Sequence, residues 1–296
     1  MATQANSSQS LAMSCLVNVF IGDASFEALP GMLDSLAELG YTYVVLPPMD
    51  PDATDVAWLR GLCADRGLLP ITMSGGLTPE TQVGSADASE RAAGAAGLRR
   101  LVDFAVALGS PQLNGVPYGV FGHPTRPTDS EFFARAAREV GAVADYAHER
   151  GVTMTFEVLN RYETSVVNTA AQALEFTTLS ESDHLRIHLD TFHMAIEEAD
   201  MFVAIDLAMP RLGYLELGQS GRGFLSTGIV DNAAVVKHAL EAGYAGPIGV
   251  EAFSRSILPS FVADALAIWR EPYASGEKLA GEAVRIMHRG AGVKGG

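Results

Sequence analysis

Three runs in this chain end on a carboxylate. Val152 to Phe156 is followed by Glu157, then Asn160, Arg161 and Glu163. Leu185 to Leu189 ends in Asp190, with Thr191, Phe192 and His193 behind it, and Pro247 to Val250 ends in Glu251. Apolar strands that spill into polar loops have this composition, and in α/β proteins ligands sit at the carboxyl ends of strands. A fourth acid, Glu216, lies in the run Leu212 to Leu217. If these strands lie side by side, the acids converge, and four carboxylates in a poorly solvated mouth repel by several kcal/mol. A divalent metal is the economical counter-charge, and an all-oxygen shell favours Mn²⁺ or Mg²⁺ over Zn²⁺. The competing reading has the acids capping helices, or two of them pairing with Arg161 and Arg222.

The elements that must position these groups follow a regular pattern. Eight times a short apolar run precedes a longer helical one. Strands are expected at Cys15 to Phe20, Tyr41 to Pro47, Leu68 to Ser74, Gln112 to Pro117, Val152 to Leu159, Leu185 to Asp190, Leu212 to Leu217 and Ile248 to Phe253. The helices expected between and after them are Phe26 to Leu39, Ala53 to Arg66, Ala86 to Leu108, Ser130 to Arg150, Thr169 to Thr178, Ala199 to Met209, Asn232 to Ala242 and Ser260 to Trp269. Gly40, Gly67, Gly109, Gly151 and Gly243 stand where left-handed C-caps are wanted. Eight βα units in about 250 residues fit a single-domain α/β fold, the (β/α)8 TIM barrel. The rival doubly wound sheet lacks its GxGxxG signature after the first strand. Residues 1–12 read as a disordered tail and 13–292 as the barrel, with further helix from Ala274 onward and a loose Gly-rich end, Gly290 to Gly296.

Composition narrows the function. The formal charge of −15 disfavours nucleic acid and anionic membranes as partners. No apolar run reaches the ~20 residues of a membrane span, and Met1 to Ser10 has no basic n-region, so a cytoplasmic location is expected. Cys15 and Cys63 read as reduced buried thiols. His188, two residues before Asp190, faces the same side of its strand one layer deeper, where it could support the acids. The remaining histidines, His123, His148, His184, His238 and His288, read as solvated or structural. Tyr118, Phe20 and Phe121 could stack on a ligand or shield the mouth, Trp58 and Trp269 read as packing between helix and barrel, and Val116 to Pro127 suits a rim loop.

Several motifs carry a resemblance. Glu157-Val-Leu-Asn160-Arg161-Tyr162-Glu163-Thr164, Leu189-Asp190-Thr191-Phe192-His193-Met194, Leu215-Glu216-Leu217-Gly218 through Arg222-Gly223, and Val250-Glu251-Ala252-Phe253 are similar to the signatures of the ketose 3-epimerases, the D-tagatose and D-psicose (allulose) 3-epimerase group. The resemblance implies a xylose-isomerase-like barrel that inverts C3 of a free ketose. It implies Glu157, Asp190 and Glu251 as metal ligands, with Glu157 and Glu251 also moving the proton through an enediolate; Glu216 is expected to ligate in place of the family's fourth ligand. It implies Glu163, His193, Arg222 and Gly75 as contacts to the sugar, Mn²⁺ as the metal with Mg²⁺ or Co²⁺ as alternatives, and a homodimer or homotetramer. The sequence departs from the family at Glu216, where the family has a histidine ligand; at Tyr214 and Ala195, for a histidine and an asparagine; and near Gln219, for an acid. Those departures keep open an aldose–ketose isomerase, a C-glycoside deglycosidase-type lyase or a catalytically silent barrel. No glycine-rich phosphate cradle follows strands seven and eight, which favours an unphosphorylated sugar.

Overall fold

A computed structural model describes residues 11–22 and 27–293. The expected N-terminal tail, save Leu11 and Ala12, and the last three residues lie outside the described residues. Eight parallel strands close into a barrel in sequential order: β1 (Met13–Leu16), β2 (Tyr43–Val45), β3 (Leu69–Ser74), β4 (Gln112–Gly115), β5 (Thr153–Glu157), β6 (Arg186–Asp190), β7 (Leu212–Leu217) and β8 (Ile248–Val250). The helices are α1 (Leu29–Glu38), α2 (Val56–Ala64), α3 (Ala88–Leu108), α4 (Ser130–His148), α5 (Ala170–Leu179), α6 (Thr191–Glu197), α7 (Met201–Ala208), α8 (Asn232–Glu241), α9 (Ser260–Ala265) and α10 (Gly276–Gly290).

Local chemistry sets these boundaries. Aspartate side chains accept the first free amides of α2, α3, α4, α7 and α8, where an N-cap oxygen replaces lost hydration. The five expected C-cap glycines all have positive φ, from 66° at Gly67 to 95° at Gly243. Several strands run shorter than their apolar stretches; the first yields after Leu16 to a 3₁₀ turn, Val17–Val19.

Two helices depart from expectation. Asp190 caps α6 through the Phe192 amide, so a helix starts directly at the end of β6 where the sequence reads as loop. The helix expected to reach Trp269 stops at Ala265, and Ala267 has φ 54°. The C-terminal helix α10 packs against α8 and α1 and closes the outer ring. It buries Leu279, Ala283, Ile286 and Met287, and Tyr41 donates a hydroxyl hydrogen bond to the Ala280 carbonyl at 3.0 Å. Cys15 and Cys63 are both free and buried.

One irregularity matters for the mouth. Between β6 and β7 the register shifts, so that Ile187 pairs with Leu212 but His188 with Tyr214. Gly213 is the extra residue; a Cβ there would lie 2.6 Å from the Arg186 Cβ. A bulge changes which face later residues present, and this one sets Tyr214 and Glu216 beside His188 and Asp190.

Candidate active site

The strand ends deliver the four acids to one mouth. Glu157 and Asp190 are the last residues of β5 and β6, Glu216 lies one residue before the end of β7, and Glu251 follows β8 directly. Asp190 pairs with Glu216 and Glu157 with His188 across neighbouring strands. All four acids are buried, Glu157 and Glu251 at 7% exposure, Glu216 at 1% and Asp190 at 0%. Two compact groups of potential donors form among the described residues: Glu157 with His188 and Glu216, and Glu157 with Asp190 and His193. Glu251 belongs to neither group; its carboxylate is in close contact with Arg222.

Glu157 is fixed from several sides. The Tyr118 hydroxyl donates to its backbone carbonyl at 2.7 Å, and His193 Nε2 lies 3.4 Å from Oε1. The Asn160 backbone amide donates to His193 Nδ1 at 3.1 Å, so the ring hydrogen sits on Nε2, towards Glu157 and Asp190. The acids push His193 up against the opposing effect of burial, but a protonated Nδ1 would face the Asn160 amide head-on. The neutral ring is therefore the form this network accommodates. Asn160 Nδ2 also donates to Glu163 Oε1 at 2.9 Å, which places the second loop carboxylate at the rim.

Arg222 occupies the space between Asp190 and Glu251. Its Nη1 lies 3.4 Å from Asp190 Oδ2 and in close contact with Glu251 Oε2. The guanidinium stacks 3.5 Å from the centre of the Phe192 ring. The backbone here has φ 56°, rare for a residue with a side chain. It is held by the Arg222 amide donating to Gln219 O at 2.7 Å and by the Phe253 amide donating to Arg222 O at 2.8 Å. Gln219 explains one departure noted above. Its amide nitrogen donates to the Leu225 and Val230 carbonyls at 2.8 and 3.0 Å while its oxygen accepts from Ser220 and Val230, and a carboxylate cannot donate.

Electrostatics divide the acids. Burial raises the Glu157 carboxyl, but His188, the His193 hydrogen bond and Arg222 outweigh it and bring it down to about 2. Burial, followed by repulsion from Asp190 and Glu157, pushes Glu216 well above the usual carboxylate range. Burial also pushes Glu251 up, and Glu216, Asp190 and Glu157 add to it against the pull of Arg222. Glu216 Oε1 and both ring nitrogens of His188 make no hydrogen bond.

A cavity of about 320 Å³ is lined by Asn160, Glu163, Phe192, Arg222, Phe253 and Trp269, among others; none of the four acids lines it, and it meets them through Arg222, which pairs with Asp190 and Glu251. Trp269 is 67% exposed, so it lines this cavity and does not pack helix against barrel. The early end of α9 turns residues 266–272 into a rim over the mouth. Nothing in the apolar pattern marks that break, since Ala267 adopts positive φ without a glycine. Gly75 follows β3 with its Cα pressed towards Pro48 and does not line the cavity. Tyr118 is fully buried against Phe156 and Phe176, so it supports β5 from behind. The stretch from Val120 to Asp129 borders a separate, larger cavity of about 740 Å³ whose lining includes neither the four acids nor Arg222. Arg161 forms a two-pronged pair with Glu197, Nε to Oε1 at 2.9 Å and Nη2 to Oε2 at 2.9 Å, a tie between the β5 loop and α6 that residue types alone did not reveal.

Comparison with known proteins identifies relatives of the whole barrel. A model of the xylose isomerase-like TIM barrel family matches residues 33–287. A ketose 3-epimerase of Arthrobacter globiformis is 36% identical over 271 residues, covering 92% of this chain and 93% of its own. An L-ribulose 3-epimerase of Methylomonas sp. (strain DH-1) is 35% identical over 269 residues, covering 91% and 94%. Among solved structures, D-allulose 3-epimerase from Methylomonas sp. in complex with D-allulose superposes with a TM-score of 0.88 at 34% identity, covering 94% of this chain and 96% of that one.

Proposed function

The chain belongs to the xylose isomerase-like TIM barrel family, among its ketose 3-epimerases, and is an enzyme of the carbohydrate isomerase class; from that premise we propose that it inverts C3 of a free ketose such as D-fructose, D-psicose, D-tagatose or L-ribulose, in a metal-dependent reaction. The observation that carries this reading is the convergence of four buried carboxylates at the ends of β5 to β8.

The residues fit a divalent cation. Glu216 Oε1 and the His188 nitrogens are buried polar atoms without hydrogen-bond partners, and burial first, then the neighbouring acids, pushes the Glu216 and Glu251 carboxyls up, a direction that a second cation would oppose. Glu157, Asp190, Glu216 and Glu251 would hold the ion, and hard oxygen donors suit Mn²⁺, with Mg²⁺ or Co²⁺ as alternatives. When bound, such an ion polarises a ketose carbonyl and acidifies the adjacent C–H.

The chain's own groups supply the rest. β5 and β8 are separated around the barrel by β6 and β7, so Glu157 and Glu251 stand at different places around the mouth, as inversion at carbon requires. Glu157 accepts the C3 proton from one face and Glu251 returns one from the other; the reverse reaction exchanges the roles. His193 steadies Glu157 through its Nε2–H. Glu163 and Arg222, which line the cavity, hold sugar hydroxyls. Phe192, Phe253 and Trp269 exclude water and cover the apolar face of the sugar. The testing experiment is a metal-replete assay against a panel of free ketoses with Glu157→Gln and Glu251→Gln. Each variant is expected to lose at least about 10²-fold in kcat while remaining folded; a variant with wild-type turnover refutes the assignment of that glutamate.

A further inference from the structure

His188 has no role in the reaction above, yet its setting is unusual for a buried histidine. It is fully buried, and neither ring nitrogen has a hydrogen-bond partner, although buried polar atoms are nearly always paired. Its Nε2 lies 3.0 Å from Glu216 Oε2, an ion-pair distance without the alignment of a hydrogen bond. The ring is set by the Tyr214 ring, edge to face with centroids 4.6 Å apart. Tyr214 in turn is anchored by its hydroxyl to Ser14 Oγ at 2.7 Å across the barrel. It passes over Gly249, where a Cβ would lie 2.1 Å from the hydroxyl. The bulge at Gly213 makes this possible by bringing Tyr214 and Glu216 level with His188 and Asp190.

We propose that His188 is a nitrogen ligand of the metal centre, given from β6 beside Glu216 on β7, so that the cation sits in a mixed nitrogen and oxygen shell. The proposal rests on the metal-dependent reading above. Two donors at right angles, each about 2.0–2.2 Å from a common ion, lie about 3 Å apart, the spacing found between His188 Nε2 and Glu216 Oε2. Glu157 completes a group whose donor atoms all lie within 4.8 Å of one another. The other such group uses His193, but its Nδ1 accepts from the Asn160 amide, leaving a hydrogen on the nitrogen that faces the acids. His188 has no such claim on either nitrogen. A neutral imidazole also adds a donor without adding negative charge to four carboxylates, and it widens the acceptable metals towards Co²⁺ and Ni²⁺. The sequence marks Glu216 as standing where the family has a histidine; here the imidazole comes from the neighbouring strand.

The test is pulsed electron paramagnetic resonance on the full-length protein, stripped and reloaded with Mn²⁺, reading ¹⁴N coupling to the ion, with metal content measured in parallel. The expected result is a directly coordinated imidazole nitrogen in the wild type that persists in His193→Gln. It disappears in His188→Leu, with Mn²⁺ affinity lowered about tenfold or more and the circular dichroism of a folded barrel. If His188→Leu does not fold, the wild type and His193→Gln decide, since these are the histidines in the two donor groups. Stoichiometric Mn²⁺ with no coupled nitrogen, or a coupling lost in His193→Gln, overturns the proposal and leaves the epimerase reading standing. A wild type that binds no Mn²⁺ overturns both.

Discussion

At the level of single residues, the site trades stability for charge. Glu216 is the clearest case: buried, with one oxygen unpaired and a carboxyl raised by burial, Asp190 and Glu157. The direction of its pH effect follows. A carboxyl whose folded pKa is raised keeps its proton in the native state after the unfolded chain has released it near 4.3. The native state then binds more protons than the unfolded one, and stability falls as pH rises from there through the raised value. Glu216→Gln removes that loss. The metal-stripped variant is expected to melt above metal-stripped wild type at pH 8, by about 2–4 °C for each kcal/mol relieved. The gap should close as the pH is lowered towards 4, while Mn²⁺ affinity falls at pH 8. A stripped variant no more stable than wild type at pH 8 contradicts this picture of the acid cluster.

Three of the acids were legible in the sequence because each ends an apolar run, and Glu216 because it interrupts the seventh. What holds them was legible only in part. Pairing of acids with Arg222 stands among the sequence readings and is found, at Asp190 and Glu251, whereas Arg161 pairs with Glu197; His193 with its proton placed by a backbone amide depends on angles that spacing does not encode. The notable exception is His188, whose offset of two from Asp190 put it on the correct face, one layer down.

At the level of elements, the helix boundaries on the mouth were the hardest to read. Asp190 serves both as a strand-end acid and as the cap of α6, and a residue with two functions gives a sequence pattern for neither. The early stop of α9 put Trp269 on the rim for a similar reason, with a positive φ at an alanine. By contrast, the glycines after α1, α2, α3, α4 and α8 mark those helix ends plainly. The tie between the β5 loop and α6 yields a prediction at this scale. Glu197 is 6% exposed and accepts both the Arg161 amide at 2.7 Å and its guanidinium, but the Arg161 side chain is 58% exposed, so solvent screens much of the pair. Glu197→Ala is expected to cost on the order of 1 kcal/mol of stability. It should also raise KM more than it lowers kcat, because the loop it loosens carries Asn160 and Glu163. Thermal denaturation and steady-state kinetics check both; a fall in kcat with unchanged KM places Glu197 elsewhere in the reaction.

For the whole molecule, closure of the barrel brings residues from 157 to 251 to one mouth, and closure of the helical ring depends on α10. The C-terminal helix reads in the sequence as an addition, because eight helical patterns already precede it. The short α9 instead belongs to the rim, and α10 takes the place between α8 and α1. Removing residues 276–296 exposes the buried faces of α1 and α8 and unpairs the Tyr41 hydroxyl. The truncated chain is expected to be insoluble or molten, losing near-ultraviolet circular dichroism; a folded, cooperatively melting truncation shows that α10 is dispensable. No helix among the described residues is long and apolar enough to cross a membrane.

The central claim is that a carbon-bound hydrogen at C3 leaves to one glutamate and returns from another beside a divalent cation. It is tested most directly by incubating the metal-loaded protein with D-fructose or L-ribulose in D₂O and following the sugar by NMR. The account predicts deuterium entering at C3 as the epimer accumulates, with no aldose formed, and both signals abolished by metal removal and by Glu157→Gln. Deuterium entering at C1 with aldose as product, or exchange at C3 that continues after the metal is gone, contradicts it.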